Sequence, residues 1–195
     1  MVRQREFDTD EVLAIAMSLF WQKGYTTTSM KDLVEATGVQ PGSLYSAFGD
    51  KEKLFQQALR KYTQEFFRAS MPRHRPPLEC IQLWLAHLAQ AMVSDPNQKG
   101  CLIINTAMER EAHSASTIAI IEDRLDEIES FFQQNLHQAQ QDGDLPATLD
   151  IDETAKSLLG SVVGMLAVAR MRRDAQTLNS IAAGAIALLQ SDKPA

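Results

Sequence analysis

Glycine and proline cut this chain into pieces that share a single period. Between the breaks, apolar residues recur at the spacing of one helix face, and no stretch alternates apolar with polar as a half-buried strand does. The first piece, 9–23, places Val12, Ala16, Leu19 and Phe20 on one side and stops at Gly24. Thr26-Thr27-Thr28-Ser29 supplies candidate N-caps for a helix over 30–37, closed by Gly38. Pro41 suits the first turn of a third helix through Phe48, because its missing N–H has no helical partner there. Gly49 then breaks the chain, and Asp50 caps a fourth helix to about Ala69. The segment Met71–Pro77 cannot continue a helix. Further helices are expected to about Val93, from Cys101 to about Glu111, and from Ser116 to Gln141. Two more run from the Asp150–Glu153 capping box to about Arg172, and from Ala175 to Gln190. The expected fold class is all-α, with about nine helices.

Composition narrows the class further. The chain has 195 residues, 45% hydrophobic and 23% charged, which suits an ordinary globular core. Its longest apolar stretch, Leu158–Ala169, is too short to cross a bilayer, and the N-terminus has no apolar signal region. A cytoplasmic protein without membrane contact is expected. Cys80 and Cys101 are the only cysteines and have no CxxC spacing, so neither a disulfide framework nor a metal site is expected. The net charge of −6 is uneven: residues 1–62 carry eight Lys/Arg and eight Asp/Glu. A neutral headpiece can still bind a polyanion if its cations share one face.

Residues 29–48 are the most informative block. Ala36 offers a small surface for a close helix crossing, Gly38 a tight turn, and Leu33, Val34, Val39 and Leu44 an apolar patch beneath it. Gln40, Ser43, Tyr45 and Ser46 are left on the outer side of the second helix, where they can bond bases and phosphates. This is the pattern of a helix-turn-helix, although an ordinary helical hairpin shares it.

The context is more specific. Gly24-Tyr25 precedes a cluster ending in Thr28-Ser29. Then come Gly38-Val39, Gly42-Ser43-Leu44-Tyr45, Phe48, Lys51-Glu52 and Leu54-Phe55. Over residues 8–60 the chain resembles the N-terminal domain of tetracycline-repressor-like (TetR) transcriptional regulators. The resemblance implies a helix-turn-helix domain over 1–50 and a helical effector-binding and dimerisation domain over 51–195. It also implies a homodimer on double-stranded palindromic operator DNA, acting as a repressor controlled by an unknown small-molecule effector. The implied DNA contacts are Thr28, Ser29, Gln40, Pro41, Gly42, Ser43, Leu44, Tyr45, Ser46 and Lys51. Among them Gln40 and Ser43 would read bases, while Tyr45 and Lys51 would touch phosphates. Ala47 departs from the family, which often carries His or Tyr there. Arg3 and Arg5 form either an arm along the duplex or a solvated tail.

The last two helices are rich in small residues, which let helices approach closely. Gly160, Val163, Gly164, Ala167, Ala183 and Ile186 are expected at a two-fold interface; a helix pair buried inside one chain is the alternative. In the family the effector pocket lies among the middle helices, where Trp84, His87, Leu88, Met92, Asn105, Met108 and His113 are candidates, each also readable as core. Cys101 follows Lys99-Gly100 and opens a helix, so a lowered thiol pKa is expected. The Gly-Cys-Leu segment resembles family members that sense electrophiles or oxidants, including the repressor of N-ethylmaleimide reductase. A plain buried cysteine is the other reading of Cys101, and Cys80 reads as core. No catalytic constellation and no cofactor motif stands out. A helical enzyme or a protein-binding scaffold without DNA binding remains the competing class.

Overall fold

The computed structural model describes residues 7–187 except Ala69 and Arg173, together with Leu189. Among these residues there are nine α-helices and no strand. They are α1 (Thr9–Lys23), α2 (Met30–Thr37), α3 (Pro41–Phe48), α4 (Lys51–Tyr62), α5 (Pro77–Ser94), α6 (Leu102–Met108), α7 (Ala115–Gln141), α8 (Ile151–Met171) and α9 (Ala175–Ala187). Local chemistry sets most of the starts. Asp8, Ser29, Asp50, Ser114 and Asp150 each accept a backbone N–H from the first turn of the helix they precede. Regular α-geometry in the fourth helix stops at Tyr62, short of the expected end, and continues as a π-helical turn over Thr63–Arg68.

Helices α1 to α4 enclose one apolar cluster. Phe20 meets Phe55 edge-on at 4.9 Å between ring centres, with Leu33, Leu44, Phe48 and Leu54 buried around them. The first turns of α4 thus share their apolar contacts with α1 to α3. In the C-terminal half α7 packs on α8, and α9 on α5 and α8. Trp84 lies wholly buried there against Phe131 and Phe132.

The two halves are joined by polar as well as apolar contacts. Glu52 of α4 accepts from the Ser114 N–H and the Thr117 hydroxyl at the start of α7. Thr26, after α1, donates to Glu109 after α6 at 2.9 Å.

Helix α8 is longer than the apolar stretch that sequence suggested. At 21 residues it is long and apolar enough to cross a membrane by those criteria alone. One of its faces is committed to the helical core: Ala155, Leu158, Val162, Met165 and Leu166 are buried against neighbouring helices.

Candidate nucleic-acid interface and adjoining pocket

The turn between α2 and α3 depends on Gly38, which adopts φ 69° and ψ 5°, a left-handed conformation that side chains resist. After it Val39 points inward, and Leu44 and Phe48 follow it into the headpiece core. That leaves Gln40, Pro41, Gly42, Ser43, Tyr45 and Ser46 exposed along one uncharged strip, with Tyr45 half in solvent. The strip offers an amide, two aliphatic hydroxyls and a phenol, the donors and acceptors that base edges and phosphate oxygens require. Ala36, expected beneath α3, is exposed on the outside of α2. The buried contact comes from Leu33 and Val39 instead.

Four of the expected contacts prove to have structural work. Leu44 is 1% exposed and belongs to the core. Thr28 is fully buried, its hydroxyl donating to the Gly24 carbonyl at 2.6 Å. Ser29 stays at the surface but closes a capping box with Asp32, whose carboxylate also pairs with Lys23 at 2.7 Å. The Lys23 hydrogen bond, followed by that from Ser29, holds the Asp32 carboxyl well below the usual carboxylate range. A carboxylate therefore already occupies the positive end of α2, where a phosphate was expected. Lys51 donates to the carbonyls of Tyr25 and Thr28, each at 3.0 Å, and its ammonium lies 4.2 Å from the Tyr25 ring centre. It clamps the loop ahead of α2. Arg3 and Arg5 fall outside the described residues.

Behind the headpiece a cavity of about 380 Å³ opens between α1, α4, α5 and the loop before α6. Trp21, Tyr62 and Phe66 form an aromatic corner, with Trp21 edge-on to the other two at 4.9 and 5.2 Å. Leu88, Met92 and Leu166 complete the apolar lining. The loop 95–100 is held from every side. Asp95 accepts the Lys99 N–H, and the Lys99 carbonyl accepts from Asn105 and Arg170, both at 2.7 Å. The Trp21 indole donates to the Gly100 carbonyl at 2.9 Å. Gly100 takes φ 67°, and a side chain there would meet Arg170 and Asn105 at 3.3 Å.

The effector candidates separate accordingly. His87, Leu88, Met92 and Cys101 line the cavity. Trp84 does not: it sits deeper, donating to Ser70 at 3.1 Å. Asn105 serves the loop, and Met108 is 68% exposed on the outside. His113 stacks on Phe55 and leans on Tyr25, its two ring nitrogens shut off without a hydrogen-bond partner. Burial lowers its pKa, aided by Lys51 and opposed by Glu109 and Glu52.

Cys101 departs most from expectation. It is 1% exposed, and burial pushes its thiol up, despite backbone N–H groups and the Tyr62 hydroxyl that pull the other way. The neighbouring ammonium does not activate it, because Lys99 Nζ lies over the Trp21 ring at 4.0 Å. Cys80 is buried, as its surroundings in the sequence suggested.

Comparison with known proteins places this arrangement. Residues 12–58 match the model for bacterial regulatory proteins of the tetR family, and 77–185 match a tetracyclin repressor-like C-terminal domain. The chain belongs to the tetR family. Like other tetR regulators, it joins a DNA-binding headpiece to a helical body. It is 33% identical to the HTH-type transcriptional repressor ComR of Escherichia coli K12, across 92% of this chain and 88% of that protein. Among solved structures it is similar to the regulator CifR, a cysteine-substituted form complexed with 26-bp double-strand operator DNA. That match has 28% identity and a TM-score of 0.84, over 96% of this chain and 99% of that one. The reduced form of Escherichia coli NemR shares the fold, with a TM-score of 0.80 over 90% and 93% of the two chains, at 19% identity. Within this tetR member Ala47 ends in a methyl packed on the headpiece core, so the position offers no group for a phosphate. Trp21, Tyr62, Phe66, Asp95 and Lys99 are among the pocket residues that sequence reasoning missed. The available signal was that Trp21 is large, apolar and off the Val12–Ala16–Phe20 stripe, hence aimed at a second neighbour.

Proposed function

We propose that this tetR regulator is a cytoplasmic, homodimeric repressor that holds a palindromic operator through α3 and is released by a small molecule in the aromatic cavity. The observation that carries the release step is the position of Trp21. It belongs to α1 of the headpiece, yet it forms a cavity wall and bonds the Gly100 carbonyl of the body. A ligand there touches the headpiece directly, and can bind its two orientations with different affinity, as coupling requires. The repressor names of the relatives and the operator DNA in the CifR complex support the direction of control. The dimer is supported by the outer faces of α8 and α9. Gly160, Ala183 and Gly184 are exposed, and Val163, Gly164, Ala167 and Ile186 only half-buried, within one chain. A side chain added at Gly160, Gly164 or Gly184 meets nothing within 4 Å. An apolar, small-residue face of this kind suits a second copy, and two recognition helices need a two-fold protein to reach successive major grooves.

Selection of bound duplexes from a random pool tests the reading. Enrichment of an inverted repeat with half-sites about one helical turn apart is expected. Enrichment of unpaired half-sites, or of nothing, overturns it.

A further inference from the structure

We infer that the effector of the aromatic cavity is a small organic anion: an apolar, preferably flat body bearing a carboxylate that pairs with Lys99. The inference rests on the proposed regulatory reading of the cavity and adds the class of ligand. Size comes first: about 380 Å³ lies at the small end of ligand pockets, which run from roughly 300 Å³ upward. The lining decides the body, since Trp21, Tyr62, Phe66, Leu88 and Met92 offer hydrophobic and ring surfaces.

Charge decides the head group. Three titratable side chains other than the Tyr62 phenol and the Cys101 thiol face the cavity: His87, Asp95 and Lys99. Asp95 is occupied, one carboxylate oxygen accepting the Asn97 N–H at 3.0 Å and the other the Lys99 N–H at 2.6 Å. Lys99 is different. Its ammonium forms no ion pair with any described carboxylate and rests on the Trp21 ring. A half-buried cation beside apolar walls gains from an anion brought to it, because the pair is screened less there than in open solvent. An organic cation meets the opposite situation. The ring face it would stack on already carries an ammonium, and Asp95, the carboxylate among the described lining residues, is turned toward two loop N–H groups.

The same lysine connects binding to the headpiece. It precedes Gly100, whose carbonyl holds the Trp21 indole, and its own carbonyl is held by Arg170 of α8. An anion that draws Lys99 Nζ off the Trp21 ring therefore acts on both α1 and α8 through one loop.

The full-length protein is titrated calorimetrically with three matched probes: naphthoate, naphthamide and naphthylmethyl-trimethylammonium. Operator affinity is then measured with each. Naphthoate is expected to bind roughly tenfold or more tighter than naphthamide, with the cation weakest. Lys99→Met should remove that preference and Lys99→Arg retain it, with matching thermal melts confirming that both variants fold. Equal binding of acid and amide, preference for the cation, an unaffected Lys99→Met variant, or no binding by any probe each overturns the inference. The underlying reading fails separately. If naphthoate binds through Lys99 but leaves operator affinity unchanged, the anion site stands and release through the cavity does not. If naphthamide binds equally and lowers operator affinity, the reverse holds.

Discussion

Within α3 and at its N-cap, neighbouring residues do opposite jobs. Leu44 fills the headpiece core while Gln40, Ser43 and Tyr45 face outward. Leu44→Ala should therefore cost about 2–5 kcal/mol of stability and weaken DNA binding by loosening the headpiece. Gln40→Ala should leave the melting curve in place and change which bases are selected. A shifted base preference with unchanged stability in Leu44→Ala would put that side chain on the duplex after all. His113 yields a pH prediction. Its folded-state pKa lies below the ordinary value of 6.5, chiefly through burial. The unfolded chain therefore binds the proton more readily. Stability from the neutral ring is complete above that ordinary value and drains away as pH falls through the folded pKa. Chemical denaturation of wild type between pH 7.5 and 5, on the order of that His range, should lose stability more steeply than His113→Phe. Parallel curves would show that the ring keeps its proton equilibrium on folding. Such side-chain assignments were only partly legible in the sequence. Period placed the outer strip of α3 correctly. It could not show that Lys51 folds back onto the Tyr25 and Thr28 carbonyls, since a long flexible cation has no periodic signature.

Helices themselves are written locally, which is why their number and order could be read from sequence. Gly38, Pro41, Gly49 and the Asp150 cap act on neighbours a few residues away, and tertiary packing does not override them. Where no such punctuation exists the reading slips. Nothing in Thr63–Arg68 announces a π-helical turn, and the expected fourth helix ran straight through it. The loop before α6 was legible as a break but not as a junction. Its partners Trp21 and Arg170 lie 79 and 71 residues away in sequence from the carbonyls they hold. Gly100 is the position to test. At φ 67° with neighbours at 3.3 Å, Gly100→Ala takes both backbone strain and a tight contact, together about 1–3 kcal/mol. Denaturation should show that loss, and Trp21 fluorescence should change as the indole's acceptor moves. Wild-type stability and an unaltered spectrum would mean that the loop relaxes without disturbing α1.

At the scale of the whole molecule the unsolved balance is in the surface that one chain leaves open. Helix α8 buries Leu158, Val162 and Met165 inward, yet its opposite side presents Gly160, Val163, Gly164 and Ala167. A lone globular chain has no need for small apolar residues on a solvated helix face, where charged ones would serve solubility better. Sequence left open whether this pair of helices was buried within one chain or between two, because small residues suit both. In the structure one side of α8 is buried within the chain and the other is left open, the side proposed for a second copy. Gly164→Glu tests that side in solution. A Cβ added there meets no atom of its own chain within 4 Å, so the monomer should still fold. Across a two-fold contact it would bury an unpaired charge, which costs several kcal/mol and suffices to split a typical assembly. Light scattering should then move from twice the chain mass to 21.7 kDa. Operator affinity should fall with it although no headpiece residue has changed, since each monomer can hold only one half-site. An intact dimer for Gly164→Glu would place the two-fold contact on another face, away from the open side of α8 that carries Gly160, Val163, Gly164 and Ala167.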